Sequence, residues 1–271
     1  MVELDHLSYS SISTYMLCPR AWRYHYVDKV ETPTAAALVM GSAFHSAVEG
    51  YIAAKANGEN PAALVTFWPG AWAKQLEAPC NADIDYGDET PESLDATGKR
   101  MLKNKDVVAV IDSITPMTGR PFMAWKGEST GPMIERKVTL SVPGVPVPVI
   151  GYIDIVADDG VPIDLKTAGR MWPKEKEHGE LQVDFYLAAL NQMGWALNPQ
   201  RKFRYVIVTK GKQPRVAVRE TTRTMGELLW LFTLIKDTWE AIEAGAFPPR
   251  TDGWKCDPRY CGFWPVCRGA F

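Results

Sequence analysis

The order of the predicted elements indicates an α/β fold with a central mixed β-sheet flanked by helices. Hydrophobic and polar residues alternate over 151–156 and again over 163–167, the period-2 pattern of strands with one buried face. Asp158-Asp159-Gly160 between them is a strong hairpin-turn signal. A helical pattern over 179–193 and a further strand follow. Three strands, a helix and another strand, with helices on both sides, predict an α/β sandwich.

The N-terminal part of the chain is predicted to be mainly helical. The expected helices cover residues 7–30, 41–56, 61–76 and 91–113, with an acidic, turn-rich stretch at 78–90. Ser10 or Ser13 can cap the first helix and Pro19 interrupts it, while Asn57-Gly58 ends the second. We therefore expect residues 57–130 to form a helical insertion.

The C-terminal half is predicted to supply the remaining strands, over residues 133–142, 203–209 and 216–220, with a Pro-rich turn at 143–148. A long amphipathic helix is expected from Thr222 to Gly245. Thr221 or Thr222 can cap this helix and Gly245 can end it. Glu135, on the first of these strands, is an additional acidic candidate whose alternative is a solvent-facing position.

Composition is that of an ordinary globular protein. The 271 residues are 46% hydrophobic and 23% charged, and the formal net charge is −2. This balance argues against a passive DNA-coating protein, which would carry a basic excess. A nuclease needs only a local basic rim, although a solvated face would explain the same side chains. The candidates for that rim are Arg201, Lys202, Arg204, Lys210, Lys212 and Arg215.

The sequence shows neither a membrane span nor a signal peptide. No apolar run approaches the roughly 20 residues that cross a bilayer. The start, Met1-Val2-Glu3-Leu4-Asp5, is acidic and lacks a basic region followed by an apolar core. We expect a cytoplasmic protein that does not contact membranes.

Three polar residues on the predicted hairpin form a candidate catalytic group. Asp154, Asp164 and Lys166 are expected to converge on the same end of the sheet. Two carboxylates there could bind Mg²⁺, which prefers oxygen ligands. A lysine beside them could orient or deprotonate a water and offset phosphate charge. Metal-assisted phosphodiester hydrolysis is the chemistry that suits this set.

The arrangement Asp154…Asp164-Leu165-Lys166 resembles the PD-(D/E)XK nuclease signature. Gly41-Ser42-Ala43-Phe44-His45 upstream and Gln182-x-x-x-Tyr186 downstream are similar to flanking motifs of the RecB-like branch. The resemblance runs from about Leu7 to Arg268 and implies a restriction-endonuclease-like core, with a single nuclease domain over 1–271.

The same resemblance implies a role for each motif. Asp154 and Asp164 would bind Mg²⁺ or Mn²⁺ with the Leu165 carbonyl, and His45 would complete the metal shell. Lys166 would position the attacking water. Gln182 and Tyr186 would orient Lys166 or bind the DNA strand; taken alone, their spacing of four residues is equally typical of helix packing.

Four of the five cysteines form a second candidate metal site. Cys256, Cys261 and Cys267 have the spacing C-x4-C-x5-C, and Cys18 precedes Pro19. Clustered cysteines in a reducing compartment are typical of metal ligands. Four thiolates suit a 4Fe–4S cluster or a structural zinc, and thiolate softness does not separate the two. Cys80 matches no motif.

The cysteines are similar to those of the iron–sulfur subgroup, which includes the CRISPR-associated Cas-four exonucleases and the AddB nuclease domain. This likeness implies a 4Fe–4S cluster, with zinc as the alternative, in a segment over 246–271 that is joined by Cys18. The subgroup is expected to have two residues between the first C-terminal pair, whereas four separate Cys256 and Cys261.

The function implied by these motifs is that of a Mg²⁺- or Mn²⁺-dependent DNA exonuclease. Single-stranded DNA or DNA ends are the expected substrates, in recombination, repair or CRISPR-type DNA processing, with recombination or CRISPR adaptation proteins as possible partners. The alternatives are a catalytically inactive DNA-binding or scaffold subunit with an iron–sulfur or zinc site, and a structural zinc protein.

Overall fold

The computed structural model describes residues 4–118, 131–195, 198–253 and 255–269. Its α-helices, in chain order, are α1 (Tyr9–Leu17), α2 (Pro19–Tyr26), α3 (Ala36–Ala56), α4 (Trp68–Leu76), α5 (Pro91–Lys103), α6 (Lys105–Asp112), α7 (Leu181–Gln192), α8 (Met225–Glu243) and α9 (Trp264–Cys267). Its strands are β1 (Leu7–Ser8), β2 (Thr34–Ala35), β3 (Ile84–Asp85), β4 (Ile134–Leu140), β5 (Val149–Val156), β6 (Pro162–Ala168), β7 (Lys202–Thr209) and β8 (Val216–Thr222). Short 3₁₀ turns cover Leu64–Phe67, Pro79–Asn81 and Lys176–Gly179.

The main sheet is mixed, which confirms the predicted fold class. β4 pairs antiparallel with β5, β5 antiparallel with β6, β6 parallel with β7, and β7 antiparallel with β8. β1 adds a short parallel pairing to β5. The parallel pair β6–β7 requires a crossover connection, and α7 supplies it. The pair β2–β3 forms a separate small sheet.

Hydrophobic cores lie on both faces of the main sheet. Along β7, Phe203 and Tyr205 pack into a core with α1, α2, α7 and α8, while Val206 and Val208 pack into a core with α3 to α6. This alternation follows from the period-2 geometry of a strand. The sheet is therefore the middle layer of an α/β/α sandwich.

The hairpin between β5 and β6 forms where the sequence predicts it. Gly160 N–H donates to the Ala157 carbonyl at 2.9 Å, and Gly160 has φ +73°. This positive φ is in the region that glycine adopts without a steric penalty. The turn brings the strands of Asp154 and Asp164 together.

Three predicted helix starts were wrong, and in two of them a different polar residue makes the cap. Ser8, rather than Ser10 or Ser13, caps α1 in a capping box with Ser11. Thr224, rather than Thr221 or Thr222, caps α8 with Glu227, because β8 continues to Thr222. The helix predicted from Gly41 begins at Ala36 instead.

The predicted helices of the insertion are shorter than expected. The single helix predicted over 91–113 is divided into α5 and α6, because the Asn104 side chain accepts hydrogen bonds from the N–H groups of Asp106 and Val107 and starts a new helix. The helix predicted over 61–76 is a 3₁₀ turn followed by α4. In the described part of the chain, no helix is both long and apolar enough to span a bilayer.

Candidate active site

The candidate site lies where β5 and β6 separate. The two strands pair only at Ile155–Ile163 and Val156–Pro162, next to the hairpin turn. Beyond these pairs the Asp154 side chain replaces the backbone ladder, because its Oδ2 accepts a hydrogen bond from Leu165 N–H at 2.7 Å. The polar side chains of both strands therefore reach the same gap, as the sequence predicted for Asp154, Asp164 and Lys166.

Asp164 is buried at the centre of this gap, with only 3% of its surface exposed. Gln182 Nε2, on α7, donates to its Oδ1 at 2.7 Å. Lys166 Nζ forms an ion pair with its Oδ2 at 2.8 Å. Burial raises the pKa of Asp164 to about 6, and the Asp154 charge adds to this effect while Lys166 opposes it.

His45 and Glu49 reach the same gap from α3. His45 Nδ1 is 3.4 Å from Asp154 Oδ2, and the potential ligand atoms of His45, Glu49 and Asp154 all lie within 4.8 Å of one another. Burial by itself lowers the pKa of His45, but the charge and hydrogen bond of Asp154, together with the charges of Asp164 and Glu49, outweigh it and raise the pKa to about 9. Sequence reasoning missed Glu49. The available signal was its i,i+4 spacing from His45, which puts both side chains on one helix face.

Glu135 completes the acidic group through a distortion of β4. The register of β4 with β5 has no pair between Glu135 and Asp154, and Glu135 has φ +47°. A non-glycine residue in this left-handed region is strained, and such strain is commonly found at functional sites. Burial raises the pKa values of both Glu49 and Glu135. The charges of Glu135 and Asp154 raise the pKa of Glu49 further, to about 8, and the charge of Asp154 also raises that of Glu135.

The chemistry of this donor set fits a divalent cation. Glu49 Oε1 is buried and has no hydrogen-bond partner, and the charge of Asp154 raises the pKa of both Glu49 and Asp164. A cation among His45, Glu49 and Asp154 would satisfy this oxygen and offset the repulsion. Carboxylate oxygens suit Mg²⁺ and Mn²⁺, and Mn²⁺ also accepts an imidazole such as that of His45. Leu165 lines the same cleft.

Gln182 and Tyr186 both point from α7 toward the strands. Gln182 donates to Asp164, and the Tyr186 hydroxyl donates to the Tyr152 carbonyl. Both side chains are buried, and burial is the main cause of the raised pKa of Tyr186. Gln182 and Lys166 thus contact the same Asp164 carboxylate. The expected role of Gln182 and Tyr186, to orient Lys166 or bind the DNA strand, stays a prediction.

An open cleft of about 810 Å³ is lined by His45, Glu49, Glu135, Asp154 and Lys166. Lys166 is 30% exposed to it, and its ammonium lies 5.9 Å from the centre of the Tyr205 ring. Tyr152 and Leu38 also line the cleft and are exposed by 50% and 66%. The cleft thus combines acidic ligands, a lysine and two exposed apolar side chains.

The predicted basic rim is divided between different parts of the molecule. Arg204 is ion-paired with Asp159 and Glu220 at 3.1 and 2.8 Å, and Lys202 lies 4.0 Å from Glu220. For these residues the alternative of a solvated, ion-paired face is the better description. Lys210 lines the cleft described above. Lys212 and Arg215 line a different cleft, formed by α5 and the loop between β7 and β8.

The four cysteines predicted to form one site come together. Burial raises the pKa of the Cys261 thiol, and the neighbouring thiols of Cys18, Cys256 and Cys267 raise it further. The chain ends also contact each other directly, because Arg250 N–H donates to Cys18 Sγ at 3.4 Å. Cys80 is exposed and does not contribute to this group.

Aromatic packing also joins the two chain ends around these cysteines. The rings of Trp22 and Phe247 stack with centroids 5.6 Å apart, and Tyr24 lies 5.7 Å from Phe263. Arg20 Nε donates to the Phe247 carbonyl at 2.8 Å. The segment that carries the C-terminal cysteines is therefore held to α1 and α2 by protein contacts as well.

Comparison with known proteins agrees with this geometry. The model of the PD-(D/E)XK nuclease superfamily matches residues 6–268. A solved structure described as "Putative exonuclease" from Eubacterium rectale covers 94% of this chain and 86% of its own, with 12% identity and a TM-score of 0.56, which shows a shared fold. The structure of SSO0001 covers 51% of this chain and 60% of its own at 21% identity, and its TM-score of 0.35 supports no argument. The search of curated proteins produced no match. With a family model that spans nearly its whole length, the chain belongs to the PD-(D/E)XK nuclease superfamily.

Proposed function

We propose that this nuclease is a Mg²⁺- or Mn²⁺-dependent DNA exonuclease that acts on single strands or DNA ends. The observation that carries the proposal is the convergence of Asp154 and Lys166 with His45 and Glu49 in one open cleft, with the buried Asp164 2.8 Å from Lys166. Metal-assisted phosphodiester hydrolysis makes direct use of an acidic donor set beside a lysine.

Each side chain has a distinct task in this proposal. Asp154, Asp164, His45 and Glu49 would bind the cation, with the Leu165 carbonyl as a further ligand. The bound cation supplies Lewis-acid activation of the phosphate and lowers the pKa of a coordinated water. Lys166, held 2.8 Å from Asp164 Oδ2, orients the attacking water and donates to the phosphate oxygens as their charge increases.

Exposed apolar side chains at the cleft support a single-stranded substrate. Tyr152 follows directly after Gly151 on β5, and its ring is half exposed beside Asp154, with Leu38 also at the cleft. Bases in a single strand can stack on such a ring, and stacking contributes about 1–3 kcal/mol per base without sequence preference. A paired duplex base has its faces covered by its neighbours. The Eubacterium rectale structure is described as a "Putative exonuclease", a description that agrees with the proposed exonuclease activity.

The cysteine group supports placement in the RecB-like iron–sulfur branch. The thiols of Cys18, Cys256 and Cys267 lie close enough to raise the pKa of the Cys261 thiol. These four thiols could hold a 4Fe–4S cluster, with zinc as the alternative. The cluster would fasten residues 246–271 to α1 and α2 and so complete a single nuclease domain, in which residues 57–130 are an insertion. Recombination, repair or CRISPR-type processing is the pathway class in which such an enzyme would act.

Digestion of single strands labelled at the 5′ or the 3′ end tests the proposal. Purified protein should shorten the labelled strand progressively in Mg²⁺ or Mn²⁺, and EDTA should stop the reaction. The Asp164→Ala variant is the control for contaminating nucleases. Strand binding without metal-dependent cleavage would instead support the inactive DNA-binding or scaffold subunit. Release of internal fragments from a circular single strand would identify an endonuclease.

A further inference from the structure

A second cleft, separate from the candidate active site, carries a concentration of positive charge. It measures about 820 Å³ and lies between α5 and the loop that joins β7 to β8. We call it the basic cleft; five cations and one carboxylate line it, namely Lys99, Arg100, Lys103, Lys212, Arg215 and Asp106. Because the whole chain has a net charge of −2, this positive surface is local.

Hydrogen bonds fix the two walls of the basic cleft to each other. Arg100 Nε donates to the Gly211 carbonyl at 3.4 Å, and Asn104 Nδ2 donates to the Pro214 carbonyl at 3.1 Å. Both donors belong to the end of α5, and both acceptors belong to the β7–β8 loop. The cations are therefore held on a defined surface rather than on independent loops.

Three of the cations have charge available for a ligand. Lys99 is ion-paired with Asp95 at 2.6 Å. By contrast, Lys103, Lys212 and Arg215 are exposed, and among the described residues no carboxylate lies within ion-pair distance of them. Like charges on one face repel one another, so an anionic ligand would stabilise this arrangement.

The β7–β8 loop contributes residues to both the basic cleft and the active-site cleft. Lys210 lines the active-site cleft, whereas Lys212 lines the basic cleft. Their Cα atoms can be at most about 7 Å apart, since an extended chain spans 3.3–3.6 Å per residue. Lys210 Nζ also donates to the Ala37 carbonyl at 3.3 Å, which fixes this part of the loop to α3.

We propose that the basic cleft binds the phosphates of the DNA strand that extends beyond the active site. This inference rests on the proposed function and adds the path of the substrate. A row of lysine and arginine side chains neutralises phosphates, displaces counterions and carries no base recognition. Lys103, Lys212 and Arg215 are positioning residues that act on the strand outside the site of hydrolysis.

Salt-dependent binding of a fluorescent 20-nucleotide single strand in EDTA tests the proposal without cleavage. The double variant Lys103→Ala/Lys212→Ala loses two phosphate contacts, so the slope of log affinity against log salt should fall by about 1.4. The control Lys202→Ala/Lys236→Ala removes the same charge from lysines that pair with Glu220 and Glu240. Its slope should match the wild type. Equal slopes for the test and control variants would overturn the inference.

Cleavage of strands of different length provides the second measurement. A dinucleotide has a single phosphodiester, which the active site would hold, so no phosphate is left for the basic cleft and the Lys103→Ala/Lys212→Ala variant should degrade it at the wild-type rate. The same variant should have a raised KM on a 20-nucleotide strand. A lower rate on both lengths would indicate a general defect and contradict the proposal. Absence of metal-dependent cleavage by the wild type would instead refute the proposed function, even if the salt slopes differ as expected.

Discussion

Replacing Gln182 with alanine tests whether α7 controls the metal affinity of the candidate site. In the native protein the amide is buried, and its Nε2 donates to Asp164 Oδ1 at 2.7 Å. Asp164 already has a raised pKa because it is buried. Removal of the donor leaves this carboxylate with less stabilisation of its charged form, which is the form that binds a cation.

The magnitude follows from the kind of hydrogen bond that is lost. A hydrogen bond to a charged group contributes about 1.5–3 kcal/mol. At about 1.4 kcal/mol per tenfold, this corresponds to a 10- to 100-fold loss of metal affinity, which agrees with the usual effect of removing a partner of a ligating carboxylate. We expect the Mg²⁺ concentration that gives half-maximal cleavage to rise by about that factor.

The assay is cleavage of a labelled single strand over a Mg²⁺ titration. Gln192→Ala is the matched control, because Gln192 lies on the same helix and makes two hydrogen bonds with the Ser141 backbone, at 2.7 and 3.0 Å. This variant should keep the wild-type Mg²⁺ requirement. If Gln182→Ala and Gln192→Ala have the same Mg²⁺ requirement, Gln182 only packs α7 against the sheet and the reasoning is refuted.

Three further predictions concern the other groups. Lys166→Ala should lower the cleavage rate at saturating metal by about 10²–10³ while the protein stays folded, and near-normal activity would remove Lys166 from the active site. His45→Ala should weaken activity more in Mg²⁺ than in Mn²⁺, because Mn²⁺ binds mixed nitrogen and oxygen sites more tightly. Equal losses with both metals would indicate a structural role for the histidine. As a companion variant, Glu49→Gln should weaken activity in both metals. Protein purified without oxygen should be brown with about four irons per chain. Cys18→Ser should remove the colour and lower the melting temperature, while Cys80→Ser does neither. One zinc and no iron per chain would reject the cluster, and iron retained in Cys18→Ser would show that Cys18 is not a ligand.

The local sequence contained enough information for the strands, the hairpin and the central acidic pair. Alternation over 151–156 and 163–167 with a turn between them determines an antiparallel hairpin, and the hairpin brings Asp154 near Asp164. Residue order around these strands also indicated the superfamily that the family model shows. Helix starts were less predictable, because Ser8, Ser10 and Ser13 offer similar caps and tertiary packing selects among them.

The contacts that complete the site could be decided only by the tertiary structure. Separation of β5 from β6 lets the Asp154 side chain bond to the Leu165 backbone, and this geometry directs Gln182 to Asp164 rather than to Lys166. Likewise, Lys212 meets α5 only because the β7–β8 loop folds against that helix. Lys202, at the start of β7, lies by Glu220 instead. Periodicity determines which face of its own element a side chain occupies. Its partner depends on how separate elements pack, and that is set by interactions between residues far apart in the sequence.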